Sequence, residues 1–190
     1  MSDFFLKEDS ILYDCGTSLG DILQKIAKRH PKKGQLIGID SESAMIAKAN
    51  KNNKQENIEF VCDDITTYSF LKSDIIISYY TVQFIHPKHR QGVLNAIYNA
   101  LNWGGAFIFF EKVRGEDARF QDIYTTMYHD YKLEKGAYSP DEIMSKSRSL
   151  KGVLEPFSSQ GNMDLLKRAG FVDITTVFKC LCFQGFLAIK

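Results

Sequence analysis

The sequence predicts a doubly wound α/β fold: a mostly parallel, seven-stranded sheet that ends in an antiparallel hairpin. Three observations carry this expectation. Short runs that are apolar nearly throughout alternate with stretches whose apolar residues recur at helical spacing, as in a parallel sheet covered on both faces. Glycines cluster in the turn after the first of these runs. The last two apolar runs follow one another with no helix between them, so they pair as a hairpin.

The elements follow in order. Ile11-Leu12-Tyr13-Asp14 reads as the first strand and leads into the glycine turn. Leu19 to Lys28 is a helix with Leu19, Ile22, Leu23 and Ile26 on one face; Lys28, Arg29 and His30 suit its C-terminus, and Pro31 stops it. Gln35 to Asp40 is the second strand, Ser43 to Asn50 the second helix, Ile58 to Val61 the third strand and Asp74 to Ser78 the fourth. Pro87 to Asn102 is a long helix with Val93, Leu94, Ile97 and Leu101 along its stripe, and Gly104-Gly105 turns into a fifth strand, Ala106 to Phe110. The rhythm then breaks. From Lys112 to Leu154 the chain is polar and helical, with Tyr124, Met127, Tyr128 and Tyr131 interleaved; residues 112–154 read as a helical insertion or lid on a single domain spanning 1–190. Asn162 to Ala169 is the last helix, capped by Gly170. Phe171 to Phe178 and Cys182 to Ile189 close the sheet, and Cys180 and Cys182, two apart in an apparent strand, are expected on one face.

Composition narrows the function classes. The 190 residues suffice for one core; 44% are hydrophobic and 25% charged, as in globular proteins. Lys+Arg 24 against Asp+Glu 23 leaves a net charge of +1, so direct nucleic-acid binding by a basic shell is not expected. The start of the chain mixes acids with apolar residues, unlike a signal segment, and no apolar run spans a bilayer, so a cytoplasmic protein is expected. Cys15, Cys62, Cys180 and Cys182 lack metal-ligand spacing; no metal is expected. His86 and His89 are expected at the surface, and the cluster Lys25, Lys28, Arg29, Lys32 and Lys33 as solvated helix-end charges.

The chemistry concentrates at strand ends. Gly16-Thr17-Ser18-Leu19-Gly20 joins the first strand to the first helix, where glycine lets backbone approach a ligand and a helix start offers free N–H groups. A nicotinamide dinucleotide wants G-x-G-x-x-G for its pyrophosphate, and Ser18 occupies the middle glycine's place. The same residues spell G-x-S-x-G, but a nucleophile elbow needs several strands before it, and only one precedes Ser18. Asp40, at the end of the second strand, is placed to bond both hydroxyls of a ribose. Asp63-Asp64-Ile65 follows the third strand, where an acid can meet an adenine amino group while an apolar neighbour packs on the ring.

A resemblance now emerges from these and further segments. Tyr13-Asp14-Cys15-Gly16-Thr17-Ser18-Leu19-Gly20, Ile39-Asp40-Ser41-Glu42-Ser43-Ala44-Met45-Ile46, Asp64-Ile65 and Tyr80-Thr81-Val82-Gln83-Phe84 come first. Glu111-Lys112-Val113, Met127-Tyr128-His129-Asp130-Tyr131-Lys132, Gly136-Ala137-Tyr138-Ser139 and Ala169-Gly170-Phe171 follow. Together they resemble the carboxy-S-adenosylmethionine synthases over nearly the whole chain. The resemblance implies the class I methyltransferase (Rossmann-like) fold and S-adenosylmethionine or carboxy-S-adenosylmethionine as cofactor. It implies conversion of S-adenosylmethionine and prephenate into a carboxylated sulfonium, the donor for carboxymethyl transfer to wobble uridine in tRNA, and a homodimer.

Carried over by position, the cofactor contacts are Gly16, Thr17, Ser18, Asp40, Ser41, Asp64 and Ile65, and the family's asparagine after the fourth strand falls on Tyr79. The family's arginine for the added carboxylate falls on Ser147, between Lys146 and Arg148; Lys146, Arg148 and Tyr138 are the candidate substrate contacts. About ten residues precede the first strand, where the family has a pocket-closing helical segment. Ser147 at the arginine position keeps open a plain small-molecule methyltransferase, and the short N-terminal segment a non-catalytic S-adenosylmethionine-binding module of a larger assembly. No catalytic residue is assigned, because a sulfonium already carries its leaving group and the protein mainly supplies position. Backbone amides around residues 16–18 are expected to cradle the amino-acid end of the cofactor, with its sugar on Asp40.

Overall fold

The structure is a computed structural model that describes residues 1–136 and 138–190. In chain order the elements are α1 (Ser2–Phe5), β1 (Ile11–Cys15), α2 (Asp21–Arg29), β2 (Gln35–Asp40), α3 (Ser43–Asn52), β3 (Ile58–Cys62) and β4 (Ser73–Tyr79). A single 3-10 turn, Val82–Phe84, precedes α4 (Pro87–Ala100) and β5 (Leu101–Lys112). The chain finishes with α5 (Ala118–Glu134), α6 (Pro140–Ser149), α7 (Ser159–Ala169), β6 (Asp173–Cys180) and β7 (Phe183–Ile189).

The seven strands lie in the order β3-β2-β1-β4-β5-β7-β6. The first five are parallel, and β7 runs antiparallel to both β5 and β6. The strands are apolar throughout because helices cover both faces, and alternate side chains serve different layers. Leu12, Leu36, Ile75, Ile77 and Ile108 point to the face covered by α2 and α3 through Leu23, Ala27, Ile46 and Ala49. Tyr13, Ile37, Ile39, Ile76, Phe107 and Phe109 point the other way, against Val93, Leu94 and Ile97 of α4 and Leu165 and Leu166 of α7. Burial of each large side chain stabilises the fold by roughly 1.5–3 kcal/mol. Phe107 is fully buried and lies parallel to Phe109 at 5.2 Å, so truncating it to alanine costs about 3–5 kcal/mol.

Sequence and structure part at several places, among them α7, which starts at Ser159 rather than Asn162, and β6, which starts at Asp173 rather than Phe171. The first long helix starts at Asp21 rather than Leu19, because Gly20 takes a left-handed φ of 77°. α4 ends at Ala100, since Leu101 is already extended, and β5 runs from there to Lys112. The N-terminal residues form α1, which docks at the opposite end of the strands from the glycine turn: Asp3 pairs with Arg29 at 2.7 Å, and Ser2 meets His30 at 3.1 Å. Cys180 and Cys182 do not share a strand face. Cys180 ends β6 exposed, Leu181 turns with φ 48°, and Cys182 is buried beyond the turn.

Candidate functional site

The order of strands reverses between β1 and β4, and open α/β sheets bind ligands at the carboxyl ends of strands flanking such a switch. A cleft of about 780 Å³ opens there, lined by Gly16, Ser18, Asp40, Ser41, Glu42, Asp63, Asp64, Ile65 and Thr66 on one side. Tyr79, Tyr80, Thr81, Phe84, Ile85, His86 and His89 form the other. Different forces hold the two sides.

The first wall is a chain of strand-end bends. Gly16 adopts φ 75°, and a Cβ there would collide with the Thr81 side chain, so only glycine brings the two walls this close. The Gly16 and Thr17 amides both donate to the Ile39 carbonyl, at 2.8 and 3.0 Å, and the Ser18 amide donates to Asp40 Oδ2 at 2.8 Å. All three amides are therefore occupied, which corrects the expectation of a free amide cradle. The Gly16 carbonyl, by contrast, accepts no hydrogen bond among the described residues. The bend is thus suited to an ammonium rather than a carboxylate. Asp40 lies on the same side as the bend, its Oδ1 accepting from the Glu42 amide at 3.0 Å. Each carboxylate oxygen keeps a lone pair for a hydroxyl.

Thr17 does not face the cleft. Its side chain is buried against Gly38, where a Cβ would run into it, and its hydroxyl donates to Asp14 Oδ2 at 2.8 Å. Asp14 is fully buried under the bend, and its Oδ1 has no hydrogen-bond partner among the described residues. Burial pushes its carboxyl up to about 7, with the Thr17 hydrogen bond opposing and Asp40 adding to the rise. An orphaned buried carboxylate oxygen beside an ammonium-sized bend fits a cationic amino-acid end. Further along the wall, Asp64 Oδ1 accepts the Thr66 amide at 2.8 Å, and Ile65 is buried beside it.

The second wall is held from behind by buried polar groups. Tyr80 has φ 61°, a strained value for a bulky residue, and its amide donates to Phe110 at 2.8 Å. The Thr81 hydroxyl donates to the Cys15 carbonyl at 2.8 Å, tying this wall to β1. Glu111 of β5, buried, accepts the Val82 amide at 3.1 Å. Burial pushes its carboxyl up to about 8, while Arg90 and the Val82 amide pull it back. The buried Arg90 guanidinium donates to the Ile85 and Gln83 carbonyls at 2.7 and 3.0 Å and stacks on Phe157 at 4.4 Å. Gln83 completes the brace by accepting the Lys112 amide at 2.9 Å.

Seven of the eight cofactor candidates, all but Thr17, therefore line one cleft. His86 and His89 are exposed as expected, yet they line the same cleft, which spacing alone does not reveal. Lys146 and Arg148 lie in the last turn of α6, outside the cleft lining. Two apart on a helix, they project to different sides. Lys146 Nζ stands 5.4 Å from the Tyr138 ring, and Arg148 is exposed. Ala137, part of the motif read from sequence, lies outside the described residues. Glu111, Arg90 and Asp14 went unassigned in sequence because their significance comes from burial.

Residues 12–105 match the family model described as a methyltransferase domain. The carboxy-S-adenosyl-L-methionine synthase of Staphylococcus epidermidis is 37% identical over 187 residues, covering 98% of this chain and 82% of that protein. That of Helicobacter hepaticus is 40% identical over 182 residues, covering 95% and 76%. Among solved structures, a putative methyltransferase bound to the Haloferax volcanii Trm112 activator aligns with TM-score 0.70 at 12% identity, covering 97% of this chain and 84% of that one. Human N-acetylserotonin methyltransferase in complex with SAM aligns with TM-score 0.69 at 18% identity over 96% of this chain; the chain spans about half, 48%, of its length.

Proposed function

The chain belongs to the carboxy-S-adenosyl-L-methionine synthase family, and we propose that it makes carboxy-S-adenosylmethionine from S-adenosylmethionine and a carboxyl donor of the prephenate type. It has the class I methyltransferase fold and is a transferase that uses S-adenosylmethionine. The observation that carries the site assignment is the hydrogen bond from the Ser18 amide to Asp40, which joins glycine bend and acid at one cleft mouth. In this reading Asp40 holds the ribose hydroxyls, and Asp64 with Ile65 holds the adenine. Gly16 accepts the ammonium, and the unpaired Asp14 oxygen beneath it supplies opposite charge. Tyr79 and Tyr80, 4.4 Å apart at the cleft, present aromatic faces, which attract cations.

When bound, the sulfonium supplies an activated methyl carbon. The protein's own residues fix the sugar, base and amino-acid ends so that the carbon meets the donor in a space with little water. Overall, a prephenate-type donor would lose its ring carboxyl group as carbon dioxide and its ring hydroxyl as hydroxide as the ring becomes aromatic. The methyl carbon would take the carboxyl group in exchange for a proton, which the hydroxide carries off as water. The added negative charge needs a cation, and Lys146, Arg148 and Tyr138 stand in the segment 112–154 that we assign as cover for the cleft. The product then serves tRNA wobble-uridine modification in the cytoplasm. Among the described residues, no helix is long and apolar enough to cross a membrane.

A homodimer is part of the same proposal. α5 buries none of its residues, and Phe120, Ile123, Met127 and Tyr131 are exposed along it. Such an apolar helix face needs a cover. The test of function is incubation with S-adenosylmethionine and prephenate, read by mass spectrometry. Carboxy-S-adenosylmethionine is the expected product; S-adenosylhomocysteine formed with an added methyl acceptor, and no carboxylated species, would refute the synthase reading.

A further inference from the structure

Three lysines from three elements converge beyond the second wall of the cleft. Lys112 ends β5, Lys132 lies in α5 and Lys146 in α6. The Lys112 and Lys132 ammoniums stand 5.6 and 4.5 Å from the centroid of one ring, Tyr128, and Lys146 stands 5.4 Å from Tyr138. Burial lowers the pKa of Lys132, and the charges of Lys112 and Lys146 lower it further. Burial, then Lys132 and Lys112, likewise lower that of His129, with Asp130 opposing.

Among the described residues, none of the three ammoniums donates a hydrogen bond or pairs with a carboxylate, although Lys72 and Lys190 seat theirs on backbone carbonyls. The cluster is also connected to the cleft. Tyr128 packs on Phe183 at 5.0 Å, Phe183 on Tyr80 at 5.5 Å, and Tyr80 lines the cleft. Partly desolvated like charges gathered without a counter-charge repel one another, and an anion placed among them reverses the sign of that interaction.

We infer that Lys112, Lys132 and Lys146 form a docking site for a small polycarboxylate, delivering the carboxyl donor to the cleft beside Tyr80. The inference rests on the proposed synthase activity for the identity of that donor. Lysines act as point charges on flexible stems, which suits an acid that must be held and then released. A nucleic-acid backbone is a poorer occupant. Two of the cations are half-buried against aromatic rings, and the chain's net charge is only +1.

The test uses the full chain and prephenate as probe. Titration calorimetry measures prephenate and S-adenosylmethionine binding separately for wild type, Lys112→Met, Lys132→Met and, as a surface-charge control, Lys167→Met. Losing one ammonium weakens prephenate binding about tenfold to a hundredfold and leaves S-adenosylmethionine affinity within about twofold; Lys167→Met changes neither. Where turnover is seen, the KM for prephenate rises in the same proportion. Unchanged prephenate affinity in both lysine variants overturns the inference and leaves the synthase reading standing. So does a loss confined to binding of unmodified tRNA. Wild-type binding of prephenate through these lysines without carboxylated product supports the docking site and overturns the synthase reading instead.

Discussion

Replacing Asp14 by asparagine separates a functional charge from a structural one. The Asp14 carboxyl is buried, has an unpartnered Oδ1, and is pushed from 3.8 to about 7. Since its folded pKa is raised, its contribution to stability is fully present below 3.8 and is lost as pH rises through about 7. At roughly 1.4 kcal/mol per tenfold change in proton affinity, the wild type loses about 3 kcal/mol through this group between pH 5 and pH 8. Asparagine does not titrate. Its amide nitrogen needs an acceptor, and that penalty, about 1–3 kcal/mol, is the same at both pH values. The quantity to measure is therefore the difference in stability between variant and wild type at pH 8 minus the same difference at pH 5, from urea unfolding of ligand-free protein. It should be about +3 kcal/mol in favour of asparagine. In parallel, S-adenosylmethionine affinity should fall at pH 8, where the lost carboxylate is charged. An equal destabilisation at pH 5 and pH 8 would refute the idea of a strained buried charge.

Gly16→Ala forces a side chain into a left-handed position costing about 1–2 kcal/mol and pushes the Thr81 wall outward, so cofactor binding in calorimetry should be lost while circular dichroism stays native. Adding Thr81→Ala should restore part of the binding. Glu111→Gln keeps an acceptor for the Val82 amide; thermal melts should show a flatter loss of stability between pH 5 and pH 8, because the Glu111 carboxyl, raised to about 8, no longer titrates. Glu111→Ala, which orphans the buried Val82 amide, should cost about 1–3 kcal/mol by urea unfolding.

The parts of the molecule legible in sequence are those whose cause is local. Leu36-Ile37 with Ile39, and Ile75-Ile76-Ile77, read as strands because both sheet faces are covered, so no polar alternation blurs them. Gly16, Asp40 and Asp64 were legible because they sit at strand ends, next to recognisable turns. The second wall was not. His86 and His89 look like ordinary helix-start residues until the 3-10 turn at Val82–Phe84 swings them toward the first wall. That turn is braced by Glu111, remote in sequence, and no local pattern signals such a contact. α1 leaves no mark in the sequence because four residues are too few to show a helical period. The cysteine pair reads as one strand face because the tight turn at Leu181 carries no glycine or proline to mark it.

Whether Asp40 anchors a sulfonium nucleoside beside the glycine bend is measured most directly by titrating ligand-free wild type and Asp40→Ala with S-adenosylmethionine. One site per chain should fill in the wild type. Affinity should drop at least about tenfold in Asp40→Ala, which loses the ribose acceptor and frees the Ser18 and Glu42 amides. Equal affinity in the two proteins would contradict the assignment.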